Sequence, residues 1–425
     1  MKTRIQLWKF AALAIVMLSG GAAYAAGLFE PVETPIPFTV DVGARKQVFL
    51  DDMLIVEIDG ISKLPGRPRK YPDNPIIRPD RPWELGSPKR TRRAHFHAQA
   101  AIYDEEDKIF KLWYDGTPFE DGRVAWCYAV SKDGYHWEKP NLGVVEFEGS
   151  TDNNILAFYK DVSYANVIKT PHDPDPSRRY KACGEWEPLD KSTSFHGVGA
   201  AFSPDGIHWT PYEGNPVFKK GPYFADASVI HGWDSRIKKY VAYNRLGRPL
   251  VPQWPGHEGI RSLGYSESDD FIHWTPSKPM LMAGGKDRSD LQWHHLNSAL
   301  DGEFYIGLAA VYRGHQQLWD IYLLSSRDGF HWNWVDRHRP FLAPGEAGAY
   351  DDCWLCASAP IVHDGKIWIF YGARKLPVAF GGMSIAMATL PVDRYVGLLA
   401  PTGFAAHPRS DFPETCGESG HGFRV

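Results

Sequence analysis

The chain has 425 residues, with 47 Lys and Arg against 51 Asp and Glu, for a formal charge of −4. That balance excludes a strongly basic nucleic-acid-binding surface as the organising feature. The length exceeds one ordinary hydrophobic core, so the chain must divide into domains or be built from repeats.

In chain order, the first element is an export signal. Lys2, Arg4 and Lys9 form a positive start, residues 10–18 are an apolar run too short to span a bilayer, and Ala23-Tyr24-Ala25 is a small-x-small cleavage site. Residues 1–25 are therefore expected to be a cleaved signal peptide, making the mature protein secreted or periplasmic; an uncleaved anchor is the alternative. Loss of the three basic residues takes the formal charge from −4 to −7. No later apolar run is long enough to cross a membrane, so neither a membrane nor a nucleic acid is an expected partner. Residues 26–92 follow as an N-terminal segment. Within it, residues 47–56 read as a strand, with Asp51 and Asp52 bracing it, and residues 57–92, rich in Pro and Arg, read as an irregular wrapping segment.

The next elements repeat. Ser131, Asp133, Gly134, His136 and Trp137 spell S-x-D-G-x-H-W, which recurs from Ser203 and from Ser326, and in degenerate form from Ser268. Asp-Gly between apolar runs marks a hairpin, and Ser and Asp side chains hold such turns by bonding nearby backbone. The Trp then buries a large face in the following segment. The four histidines fall in separate modules and cannot converge on one metal. A turn repeated once per module reads as scaffold. Between the boxes, residues 108–114, 124–131, 180–186, 239–244, 303–312 and 366–371 are short, aromatic or β-branched and bounded by turn residues, and 124–131 is apolar on both faces, which requires packing on both sides.

Modules of this length with four strands predict an all-β fold, a five-bladed β-propeller over residues 93–400. The blades fall at about 93–142, 150–215, 220–280, 288–340 and from 349, leaving 401–425 as a tail. The first blade is expected to end with its box. The fifth lacks a box, and its outermost strand is expected from residues 47–56, which would remove a free edge. The five cysteines, Cys127, Cys183, Cys353, Cys356 and Cys416, are too sparse and odd in number for a disulfide scaffold. Cys353 and Cys356 form a lone CxxC whose members point to opposite faces of a strand, so no zinc site is expected.

These features resemble the five-bladed propellers of the arabinanase, levansucrase and invertase superfamily, which includes glycoside hydrolase families 32, 43 and 130. The strings that carry the likeness are residues 48–52 (VFLDD), 74–84 (NPIIRPDRPWE), 127–140 (CYAVSKDGYHWEKP), 152–155 (DNNI), 268–274 and 326–332. The resemblance implies a carbohydrate partner, a site where the innermost strands meet the channel mouth, and three carboxylates there, an Asp on each of blades one and two and a Glu on blade three. Glycosidic cleavage needs one carboxylic acid to protonate the leaving oxygen and one carboxylate to attack or to activate water, and a third charge tunes the acid.

The sequence departs from that pattern. Blade one offers His95, His97 and Gln99, blade two offers Asn166, and blade three offers Asp226 at about the acid position. Asp226 is the first candidate for acid or base, with Asp352 as partner; Glu185, after a blade-two strand, is a third candidate. His95, His97, Asn166, Trp293, His294, Asp351 and Trp354 are candidate sugar contacts. Each has a plainer reading. Asp226 can bond its own turn, Glu185 can sit in a solvated loop, and His95 and His97 can be core histidines bonded to backbone. Arg93 and Arg245 can pair with an acidic sugar, with surface ion pairs as the commoner use. The expected function is a glycoside hydrolase acting without a cofactor on an exported or environmental oligosaccharide or polysaccharide. The alternatives are a non-catalytic glycan-binding propeller and a metal-dependent carbohydrate enzyme using His95 and His97 with Asp290 and His294.

Overall fold

The computed structural model describes residues 46–55, 57–58, 62–87, 98–117, 119–160, 166–184, 197–219, 228–246, 261–375, 383–399, 405–406 and 423–424. The expected signal peptide lies outside them. Among the described residues, regular structure is nearly all strand, with one short α-helix, Pro82–Leu85, and one 3-10 turn, Pro176–Arg178.

Five antiparallel sheets form the blades. The first contains Ala98–Asp104, Ile109–Asp115, Arg123–Ser131 and Ile155–Lys160, from the axis outward. The second contains Asn166–Lys169, Tyr180–Gly184, Gly197–Ser203 and Thr210–Pro211. The third contains Ser228–Asp234, Lys239–Leu246, Ser262–Ser268 and Lys278–Leu281. The fourth contains Leu291–Asp301, Phe304–Arg313, Leu318–Ser326 and Asn333–Trp334. In the fifth, Trp354–Ala357 and Ile361–His363 both pair with Lys366–Arg374, which pairs with Met383–Pro391.

Five apolar clusters fill the five spaces between blades. Trp113 and Trp126 meet Tyr180, Cys183 meets Tyr240, Tyr243 meets Trp293, Ile306 meets Ile369, and Phe370 meets Leu112. This is why the strands are apolar on both faces: each sheet is buried on both sides.

The repeated box joins the third strand of a blade to its fourth. In the second copy, Ser203 Oγ accepts the Gly206 N–H at 2.8 Å, and Asp205 Oδ1 accepts the N–H groups of Ile207 and His208, each at 2.8 Å. Trp209 Nε1 donates to Gly206 O at 2.9 Å. The turn also docks on the preceding blade, since Trp113 Nε1 donates to Gly206 O at 2.9 Å and Tyr243 OH to Gly329 O at 3.0 Å. Gly206 has φ of 82°, and a Cβ there would lie 2.9 Å from the Trp113 ring. In the degenerate copy Phe271 adopts φ of 68° and is fully buried in the core between blades two and three. Burial of that ring offsets the left-handed strain. Because the strands alternate in direction, the boxes lie at the end of the ring opposite the starts of the inner strands.

These turns set a pH dependence. Burial pushes the Asp205 carboxyl upward, but hydrogen bonds from His208 and from backbone N–H groups outweigh it and hold it at about 2; Asp270 and Asp328 are also held at about 2. A depressed carboxyl contributes in full above its unfolded value, near 4, and loses that contribution as pH falls toward 2. Asp205→Ala should therefore cost about 1 kcal/mol at pH 7 and clearly less at pH 2, where the folded-state carboxyl is about half protonated, as denaturant titrations at the two values will show. An equal cost at both would rule out this origin.

Two expectations are corrected. Blade one does not end with its box near residue 142; Ile155–Lys160 pairs beyond it as the fourth strand. The strand that completes blade five is also not residues 47–56 but Arg69–Lys70, paired with Ala388 and Thr389, with a further bridge from Ile77 to Ile385. The earlier segment instead forms turns, with Leu50 N–H bonded to Val48 O and Ile55 N–H to Asp52 O. Its Asp51 pairs with Arg327 at 2.6 Å. The wrapping segment is thus partly regular, since Ser62–Pro65 also pairs with Val396–Leu399.

Candidate functional site at the channel mouth

Inner strands of neighbouring blades touch around the axis and enclose a cavity of about 530 Å³ lined from all five blades. Three inner strands carry a β-bulge, between Ala98 and Ala100, Ile230 and Gly232, and Trp293 and His295. The extra residues are Gln99, His231 and His294. A bulge re-aims a side chain away from the regular alternation.

At the strand starts, polar groups join across blades. Arg245, on the second strand of blade three, bonds His294 through its guanidinium, and His294 Nδ1 lies 2.8 Å from His295 Nδ1. His295 Nδ1 faces Cys356 Sγ of blade five at 3.5 Å. Burial pushes the Cys356 thiol up to about 12, keeping it neutral. Asn297 Nδ2 donates to Ala357 O at 2.8 Å, and Asn166 Nδ2 of blade two reaches Asn297 Oδ1 at 3.4 Å. Trp354 stacks on Trp319 at 4.0 Å, Trp319 lies 3.7 Å from His294, and the Arg374 guanidinium sits 4.4 Å from the Trp354 ring centre.

Deeper in the channel, His231 Nδ1 lies 2.6 Å from Ser298 Oγ. Burial lowers the His231 imidazole to about 4, so at neutral pH it is an uncharged hydrogen-bonding group. His231, Asn297, Ser298 and Cys356 were missed by sequence reasoning. The signal for His231 was its place five positions after the Asp226 candidate, but strict alternation cannot follow a bulge.

The sequence candidates distribute as follows. Asn166, His294 and Trp354 join the polar and aromatic set just described. Trp293 is buried against Trp334 at 4.8 Å, in the core between blades three and four. Asp351 is buried and accepts from Lys70 Nζ at 2.6 Å, tying the closing strand to blade five. Asp352 accepts the Gly348 N–H at 2.8 Å and lines a separate cavity on blade four. Asp226, Glu185, His95 and His97, with Arg93, lie outside the described residues. Asp290 is held by Arg288 at 3.0 Å, which draws its carboxyl below the ordinary range. Arg245 is only 3% exposed, so its reading as a surface ion-pair residue is corrected. Among the described residues no group of three or more His, Cys, Asp or Glu side chains is placed to hold a metal ion. Cys353 faces Gln317 O at 3.4 Å while Cys356 faces His295, so the CxxC pair has separate surroundings.

Comparison with protein-family models gives no match, and neither does comparison with curated sequences. Solved structures do match. A protein described as a glycoside hydrolase aligns at TM-score 0.51 and 15% identity, over 76% of this chain and 92% of that one. An N-acetylgalactosamine deacetylase from F. plautii, solved with blood group B trisaccharide, aligns at 0.52 and 15%, over 79% and 97%. The β-1,2-mannobiose phosphorylase of Listeria innocua aligns at 0.51 and 12%, over 77% and 98%. With its five four-stranded blades, the chain has the propeller fold that these glycoside hydrolases and phosphorylases share.

Proposed function

We propose that the protein is a carbohydrate-active enzyme, a glycosidase that holds its sugar over the starts of the inner strands. The observation that carries the reading is the cross-blade polar chain from Arg245 through His294 and His295 to Cys356, with Asn166 and Asn297 beside it. Buried polar groups at a channel mouth are costly unless something uses them, and sugar hydroxyls both donate and accept. Trp354 adds the aromatic surface that saccharides favour.

In this reading Asp226 is the general acid or base and Glu185 supplies the second carboxylate, since Asp352 lines the separate blade-four cavity. One protonates the departing oxygen while the other attacks or activates water. The neutral His231 and Ser298 pair would form the polar floor below. Export through residues 1–25 would place the reaction outside the cytoplasm.

A glycosidase should release new reducing ends from at least one member of a panel of arabino-, manno-, xylo- and galacto-oligosaccharides. The second reading, a glycan-binding propeller without turnover, is favoured by Asn166, which stands where the resemblance implies an Asp. Binding to panel members with no product after long incubation would decide for that reading and against hydrolysis.

A further inference from the structure

A second cavity, of about 500 Å³, lies on blade four and shares no lining residue with the channel. That volume is in the range of small-molecule sites, roughly 300 to 1,000 Å³. Trp334 and Tyr322 form an aromatic corner in its wall, ring centres 5.1 Å apart at 89°. Two carboxylates are buried in the same wall. Asp320 is 1% exposed and clasped by Arg313, with Nε 2.7 Å from Oδ2 and Nη2 3.0 Å from Oδ1. The Asp287 side chain is 6% exposed. Its Oδ2 accepts the Gly284 N–H at 2.7 Å, but its Oδ1 has no hydrogen-bond donor among the described residues, the Arg337 Nε standing off at 3.7 Å.

A buried carboxylate oxygen without a donor is costly, and a buried ion pair is weak evidence for stability. Both features are explained by a ligand that brings a donor. The charges say which kind. Lys286, Arg288, Arg313 and Arg337 are matched by Asp287, Asp320 and Asp352, with Asp290 paired to Arg288. A balanced wall gives no net attraction to an anion, but it offers acceptors and donors side by side.

We infer that this cavity is a saccharide-binding site, separate from the channel, that takes a neutral pyranose or furanose unit. The apolar face of the ring packs in the Trp334 and Tyr322 corner, one hydroxyl donates to Asp287 Oδ1, and others accept from Arg337 and Arg313. The inference does not rest on the catalytic reading, since a propeller without turnover would bind here equally.

The test is affinity electrophoresis of the full-length protein in native gels cast with arabinan, β-mannan, xylan or galactan, and with polygalacturonate as the anionic control. Retardation is expected in at least one neutral gel. Asp287→Asn keeps an acceptor for Gly284 and replaces Oδ1 by a donor, and should weaken that retardation tenfold or more. Arg337→Ala, on an exposed side chain, should weaken it too and serves if the first variant does not fold. Asp226→Asn should leave it unchanged. No retardation in any neutral gel, retardation confined to polygalacturonate, full retardation of folded Asp287→Asn, or its loss in Asp226→Asn would each overturn the inference. Turnover of short soluble substrates, measured on the same variants, reports the channel site separately.

Discussion

Asp226→Asn is expected to lower kcat/KM at least a thousandfold on whichever substrate the parent cleaves. The replacement keeps size and hydrogen-bonding shape but can neither give nor take the proton. Positioned acid–base groups commonly contribute about a hundred- to ten-thousandfold, and a glycosidic bond leaves no easier route when the acid is missing. The variant should melt with the parent, because the replacement keeps side-chain volume at a position two residues before the Ser228–Asp234 strand. Steady-state kinetics with a chromogenic glycoside will read the loss. Activity within threefold of the parent would remove Asp226 from the mechanism and leave Glu185 as the carboxylate to test.

The largest effect on stability is expected at Glu84, fully buried where the N-terminal segment meets blade one. Its Oε2 accepts the N–H groups of Asp80 and Arg81 at 2.9 and 3.1 Å and the Lys139 ammonium at 2.8 Å, and its Oε1 accepts Tyr114 OH at 2.6 Å. The chain passes so closely here that a Cβ on Gly116 would lie 2.7 Å from Trp83 O. Glu84→Ala removes the acceptor of two backbone N–H groups and of the Tyr114 hydroxyl, and one of the two carboxylates on Lys139, whose ammonium keeps Asp80 and the Arg78 carbonyl. Removing one partner of such a buried charged cluster costs about 3–5 kcal/mol, a large part of the roughly 5–15 kcal/mol that holds a domain together. Glu84→Gln should cost less, since its carbonyl oxygen still accepts. Denaturant titration should show the midpoint falling in the order parent, Gln, Ala. An unchanged midpoint for Ala would mean water replaces the carboxylate without cost.

The fold was legible because its signal is local. Ser203, Asp205, Gly206 and Trp209 build their turn from neighbours a few positions apart, so each copy declares itself in sequence. What lay beyond that range was read less well. Nothing next to Arg69 and Lys70 reveals that they pair with Ala388 and Thr389. Blade one's fourth strand was missed because it follows the box across the long stretch between Trp137 and Ile155. The site was least legible, since its members come from separate blades and only assembly brings Arg245 to His294 or Asn166 to Asn297. The bulges at His231 and His294 then invert the face that counting by twos assigns.

The clasp between first and last sheets also governs how the molecule can be made. Asn74 bonds Met387, 313 positions away, so the edge that completes the circle is synthesised long before its partner and must wait for it. Contacts so distant in sequence form late. Until then the third strand of the last blade has an open side, the kind of surface on which unfinished chains adhere to one another. A product stopped short of Ala388 therefore has no way to seal itself, however well its earlier blades are formed, and length itself becomes a checkpoint on reaching the native state.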